Sequence, residues 1–241
     1  MSRWKASAIH LLISAIVVGS VVLAVTLIWY PPAIWRMAGV VELLGIVIAV
    51  DLVLGPLLTL IVFRAGKPSL RFDLTVIALL QAAALAYALH TIWVSRPVYV
   101  VGIGNVGRFH LVYATDLDDN ALDSAKGTPY EVLPAFGPKL VGAKLPMDQA
   151  LRQNLLWQEM AGNELQFQPR YFVPYDQVQH EMGTVLRSRQ ARDEHADLSD
   201  CIAPYVSRRG SAGMQVDCQS GAVVGPIATT ATQADPEMGN K

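Results

Sequence analysis

Charge is what this sequence has least of. Asp, Glu, Lys and Arg supply 16% of its 241 residues against 52% hydrophobic ones. The first 96 positions hold only seven basic residues (Arg3, Lys5, Arg36, Arg64, Lys67, Arg71, Arg96) and three acids (Glu42, Asp51, Asp73), whereas twelve basic and seventeen acidic residues follow. Neither a disordered chain nor an ordinary soluble domain has that distribution. A basic face is missing, which argues against nucleic acid. Cysteine is confined to Cys201 and Cys218, without the Cys-x-x-Cys spacing of a redox motif. The histidines (His10, His90, His110, His180, His195) include no i, i+4 pair and no Cys/His set, so neither a helical nor a structural zinc site is encoded. His195, beside Asp193 and Glu194, reads as a solvated helix end. Asp116, Asp118, Asp119 and Asp123 miss the calcium-loop spacing and read as a solvated acidic turn, and no G-x-S-x-G elbow occurs. With no linked nucleophile–base set, the sequence reads as non-enzymatic, with no cofactor and no metal.

What the chain does have is three long apolar runs, at residues 9–30, 40–63 and 74–94. As a helix, the 24 residues of the second rise about 36 Å, enough to cross a hydrocarbon core of about 30 Å with some tilt. The first run exceeds the apolar core of a cleaved signal peptide, about 7–15 residues, and ends in Trp29-Tyr30-Pro31-Pro32. It reads as a retained transmembrane helix with an aromatic interfacial end. The third has a small-residue face, Ala82, Ala83, Ala84 and Ala86, that permits close helix packing. Five basic residues lie before the first run or between the second and third, so these segments stay cytoplasmic by the positive-inside rule. Three crossings then deliver everything after Arg96 to the far side, the periplasm for a bacterial inner membrane. Both cysteines fall there, where a disulfide persists; a Cys201–Cys218 bridge closes an 18-residue loop and contributes about 3 kcal/mol in the chain-entropy model.

The middle run carries Asp51 at its midpoint, with Gly55-Pro56 one turn later. A central membrane aspartate costs about 2.5–3.5 kcal/mol on insertion scales and calls for compensation. Pro56 lacks an amide hydrogen and its ring collides with the Leu52 carbonyl, which predicts a kink with an acid and a free acceptor close together. Two readings follow. Asp51 either bonds Gln81, Tyr87 or His90 of a neighbouring helix and holds the bundle together, or it receives a group from a partner, with Pro56, Glu42 and Gln81 as the other candidate partner-binding residues.

Residues 97–228 are expected to form a small α+β domain with antiparallel strands and two helices, followed by a flexible tail at 229–241. Residues 98–103 and 109–114 predict a β-hairpin, and short strands are expected near 205–206, 215–217 and 222–227. Residues 121–142 are proline-rich loop, while 147–161 and 175–195 have helical periodicity. Residues 102–107 match G-x-G-x-x-G, but a dinucleotide site needs a helix to open at the third glycine, and residues 108–114 read as a strand instead.

Several linked motifs resemble a known family. Asp51-LVLGPLLTLIVF, Lys67-x-Ser-Leu-Arg-Phe-Asp-Leu74, Gln81 in its alanine-rich helix and Arg96-Pro-Val-Tyr99 are similar to the type IV pilin accessory proteins of the TfpX/TfpZ type. Gly137-Pro-Lys-Leu-Val-Gly142 and Pro169-Arg-Tyr-Phe-Val-Pro-Tyr175 extend the resemblance over most of residues 11–227. The glycine-rich turn at 102–107 and the cysteine pair lie outside it. The resemblance implies a non-enzymatic inner-membrane protein whose partner is a type IV pilin, met at its membrane helix and its periplasmic head, beside the lipid bilayer and further pilus-assembly components. An envelope enzyme that modifies pilin would need converging titratable groups, and a periplasmic sensor would need a cytoplasmic signalling domain.

Overall fold

A computed structural model describes residues 2–160, 164–191 and 200–227. The chain forms two compact units: Met1–Pro31 with Gly39–Arg96, and Pro32–Ala38 with the described residues from Pro97 onward.

The first unit is helical. Helix α1 spans Arg3–Ile28, and after the short α2 (Trp35–Ala38), which belongs to the second unit, come α3 (Val40–Ile48), a π-helical stretch (Ala49–Leu54) and α4 (Gly55–Val62) as one continuous rod, then α5 (Leu70–Val94). All three rods, Arg3–Ile28, Val40–Val62 and Leu70–Val94, are long and apolar enough to cross a membrane. The outer two start earlier than their apolar runs. Ser2 caps α1 by accepting from the Lys5 amide at 3.3 Å, which draws Arg3 and Lys5 into the helix. In α5, Asp73 sits in the first turn, where the helix dipole favours an acid, and it pairs with Lys67 at 2.5 Å. The buried side of α1 is one stripe (Ala6, Ser14, Val18, Val25), while Leu12, Ile16, Leu23 and Leu27 are exposed. A rod apolar all round but buried along one stripe suits lipid on its other faces. The predicted aromatic end is real: Trp29 and Trp93 meet edge to face at 5.5 Å, the Arg96 guanidinium lies 3.8 Å above the Trp93 ring, and the Tyr30 hydroxyl donates to the Ser95 carbonyl.

The second unit is built on one seven-stranded sheet. Its strands are β1 (Pro97–Ile103), β2 (Arg108–Tyr113), β3 (Lys139–Ala143), β4 (Phe172–Pro174), β5 (Asp200–Ser207), β6 (Gly210–Asp217) and β7 (Val223–Ile227), in the order β4-β3-β1-β2-β5-β6-β7. The β1–β2 hairpin forms where the sequence predicts it. The expectation of antiparallel strands is corrected: β1 pairs with β3, and β2 with β5, in parallel, so the sheet is mixed. Parallel neighbours need long connections, and the proline-rich stretch that reads as loop supplies one, delivering β3 beside β1. The domain is also larger than expected, since β4 is added and β5 and β6 run eight residues each. Besides α6 (Asp119–Asp123), the predicted helices appear as α7 (Gln149–Met160) and α8 (Asp176–Gln190). The solvated end at His195 and the tail at 229–241 fall outside the described residues.

Every residue of β1 is buried, because both faces of the sheet are covered there. On one face α8 packs close against glycine: a Cβ on Gly104 would stand 2.8 Å from the Val178 carbonyl oxygen, and one on Gly142 would stand 2.5 Å from the Val178 side chain. Gly107 takes a left-handed φ of 61° to turn into β2, and no helix opens there, which disposes of the nucleotide-site reading. The opposite face holds the main core, with Tyr99, Val101, Ile103, Val141, Leu155 and Phe172. Residues of the first loop join this unit, the Met37 carbonyl accepting from the Tyr113 and Ser207 hydroxyls at 3.3 and 2.6 Å. Cys201 and Cys218 are disulfide-bonded, tying the start of β5 to the end of β6.

Candidate functional site

The first unit contains a chain of polar side chains in an apolar setting. In the π-helical stretch the Gly55 amide donates to the Val50 carbonyl, five residues back, and not to Asp51, its α-helical partner. Gln81 of α5 takes up that acceptor: its Nε2 donates to the Asp51 carbonyl at 3.3 Å and to Asp51 Oδ1 at 3.1 Å. Gln81 Oε1 lies 2.8 Å from His10 Nε2, and His10 Nδ1 lies 2.6 Å from the Thr59 hydroxyl. These contacts join Thr59, His10, Gln81 and Asp51 in one line, with Gln81 donating to Asp51. Ser7 adds a bond to the Pro56 carbonyl at 2.9 Å. The chain thus runs through all three rods and ends on the carboxylate.

Asp51 is 5% exposed. Its Oδ2 has no hydrogen-bond partner among the described residues. It lines a cavity of about 220 Å³ walled by α1 and α5. Gly55 belongs to the same arrangement, since a Cβ there would overlap the Gln81 amide.

Of the residues singled out from sequence, Asp51, Pro56 and Gln81 come together. Glu42 does not: it is exposed in the first turn of α3. Tyr87 and His90 are also exposed, so Gln81 alone of the three proposed neighbours bonds Asp51. The expected lesion at Leu52 takes another form, a π turn that frees the Asp51 carbonyl. Sequence reasoning missed Ser7, His10 and Thr59. Ser7, His10 and Ser14, at i, i+3 and i+7, mark one polar line on an otherwise apolar rod, and that spacing was the available signal.

The second unit has a cleft of about 550 Å³ on the sheet face away from α8, lined by Ile103, Arg108, His110, Leu155, Glu164 and Leu165 among others. Burial pushes the His110 imidazole down to about 4, the Arg108 charge adds to this, and Glu164 opposes it. Among the described residues lining the cleft, no serine, threonine, cysteine or lysine stands with this histidine. Among the described residues no three metal-binding side chains converge.

The chain is 26% identical over 173 residues to the fimbrial assembly protein of serogroup I of Dichelobacter nodosus, covering 71% of this chain and 66% of that relative. With the serogroup E1 protein of the same organism it shares 31% over 99 residues, 40% of this chain and 38% of the relative. The match to the protein of serogroups C1 and C2 is again 31% over 99 residues, and it covers 76% of that relative. The chain belongs to the fimbrial assembly protein family. It spans less than two thirds of the length of the serogroup I and E1 proteins. No family model and no solved structure matches it.

Proposed function

We propose that this fimbrial assembly protein is a non-catalytic, inner-membrane accessory factor that binds a type IV pilin and assists its stability or its incorporation into pili. The observation that carries this reading is the match to fimbrial assembly proteins in a chain with three rods of membrane-spanning length. The resemblance to pilin accessory proteins of the TfpX/TfpZ type supports the finer assignment. The disulfide of the second unit suits an oxidising compartment such as the periplasm. A pilin awaiting assembly has one apolar helix in the membrane and a head outside it. A partner with both a helical bundle and an exported domain meets the two together, and two weak contacts on one molecule raise effective concentration without a tight interface at either.

Deleting the gene and measuring pilin abundance beside surface pili tests the proposal. Loss of pili, with or without loss of pilin, and pilin adducts from photo-crosslinkers in the rods are the expected results. Normal piliation in the deletion strain would refute it.

A further inference from the structure

Asp51, one of whose oxygens has no hydrogen-bond partner among the described residues, lines a cavity that the protein itself does not fill. We infer that this cavity is a docking site for an ammonium group carried on the apolar helix of a partner within the membrane. The inference rests on the membrane-spanning reading proposed above and names the chemistry by which the partner is held.

Three observations carry it. First, Gln81 Nε2, itself held against His10, donates to Asp51 on one side, so the carboxylate is supported as an acceptor while Oδ2 has no hydrogen-bond partner among the described residues. A carboxylate kept this way in an apolar bundle calls for an opposite charge. Second, the cavity mouth is lined by Ile13, Val17, Ala78 and Ala82, all exposed, so it opens sideways off the bundle. An occupant entering there brings an apolar stem and a charged tip. Third, about 220 Å³ is the liquid volume of about seven waters, far more than a bare ion fills. Among the described residues Asp51 is the sole acid on the cavity wall, and one carboxylate is too few ligands for a divalent cation. A guanidinium would use a carboxylate with both oxygens open to a fork, and Gln81 already holds Oδ1. An ammonium, a point donor to one oxygen, fits what is open. Its source is either a lysine side chain or a free amino terminus, which share this chemistry.

The test uses the full-length protein in proteoliposomes, with a photo-crosslinking residue in place of Ile13, and synthetic leucine–alanine membrane helices as probes. One helix has lysine at its midpoint and one has norleucine there; a second pair has a free or an acetylated amino terminus. The charged member of at least one pair is expected to give at least ten times the adduct of its uncharged control. Labelling by the lysine probe alone, or by the free-terminus probe alone, identifies the source. Asp51→Asn, which keeps the shape and the bond from Gln81, should bring the charged probe down to its control. Equal labelling within both pairs, or labelling unchanged in Asp51→Asn, overturns the inference. Should Asp51→Asn fail to accumulate, the four probes on the chain with Asp51 intact decide alone. Equal labelling together with pili lost on deletion would retire the ammonium site and leave the assembly role standing. Normal pili together with a charge-selective cavity would do the reverse.

Discussion

At the scale of single residues, the decisive arrangement is the one between Gln81 and Asp51. Gln81 satisfies a backbone carbonyl, a carboxylate oxygen and a histidine at once, so replacing it exposes three groups in an apolar setting. Interhelical hydrogen bonds in membranes average only about 0.6 kcal/mol each, but an unpartnered buried charge costs more. Gln81→Leu is therefore expected to destabilise the purified protein by about 1–3 kcal/mol in detergent unfolding. Asp51→Leu added to it should recover most of that loss. A double variant no better than the single one would mean that the two side chains act independently. His110 makes a different prediction in the second unit. Its folded value of about 4 lies below the 6.5 of the free imidazole. Above pH 6.5 both states hold it neutral and nothing is lost. As pH falls from 6.5 towards 4 the unfolded chain takes up a proton that the folded one refuses, so stability declines by up to about 3 kcal/mol and then levels off. Melting curves between pH 7 and 4 should show this slope, and His110→Gln should flatten it.

Among the elements, those legible in the sequence were the ones specified by local pattern. Runs of more than 20 apolar residues give rods of membrane length, and alternation around a Gly-Asn turn gives the β1–β2 hairpin. What escaped depends on partners distant in the chain. Strand β3 lies among Pro134, Gly137 and Pro138, and its strand character comes from parallel pairing with β1. The π turn at Ala49–Leu54 has no local code beyond the nearby Pro56, and its consequence appears only once Gln81 stands opposite. The glycines at 102–107 matched a nucleotide motif for a reason that only the packing of α8 reveals. Of these three, Gly104 is the one whose Cβ would meet that helix's backbone, so Gly104→Ala must push α8 off the sheet. The expected cost is about 1–3 kcal/mol, the range for overpacking a close-fitted core. Hydrogen exchange should rise in β1, β3 and α8 together. An unchanged melting temperature would show that α8 yields without strain.

For the whole molecule, the consequential question is which side of the membrane each segment occupies, and the charges argue for one answer. Arg3 and Lys5 precede the first rod, and Arg64, Lys67 and Arg71 lie in or beside the connection between the second and third. The pairing of Lys67 with Asp73 does not weaken the argument, because acids contribute little to orientation. On the proposed topology, with those segments inside, an odd number of crossings would put the sheet and its Cys201–Cys218 bridge outside the cytoplasm, where an oxidised pair survives. A reporter active only after export should work when fused after Ile227 and fail when inserted at Gly66, and a cytoplasmic fluorescent reporter should show the opposite. Alkylation of Cys201 and Cys218 in intact cells supplies a readout that fusions cannot disturb: the pair should resist modification until a reductant is added. If the reporter after Ile227 worked only inside the cell and both thiols reacted freely, the sheet would lie in the cytoplasm. The proposed two-point contact with an exported fibre subunit would then have no geometry to act through.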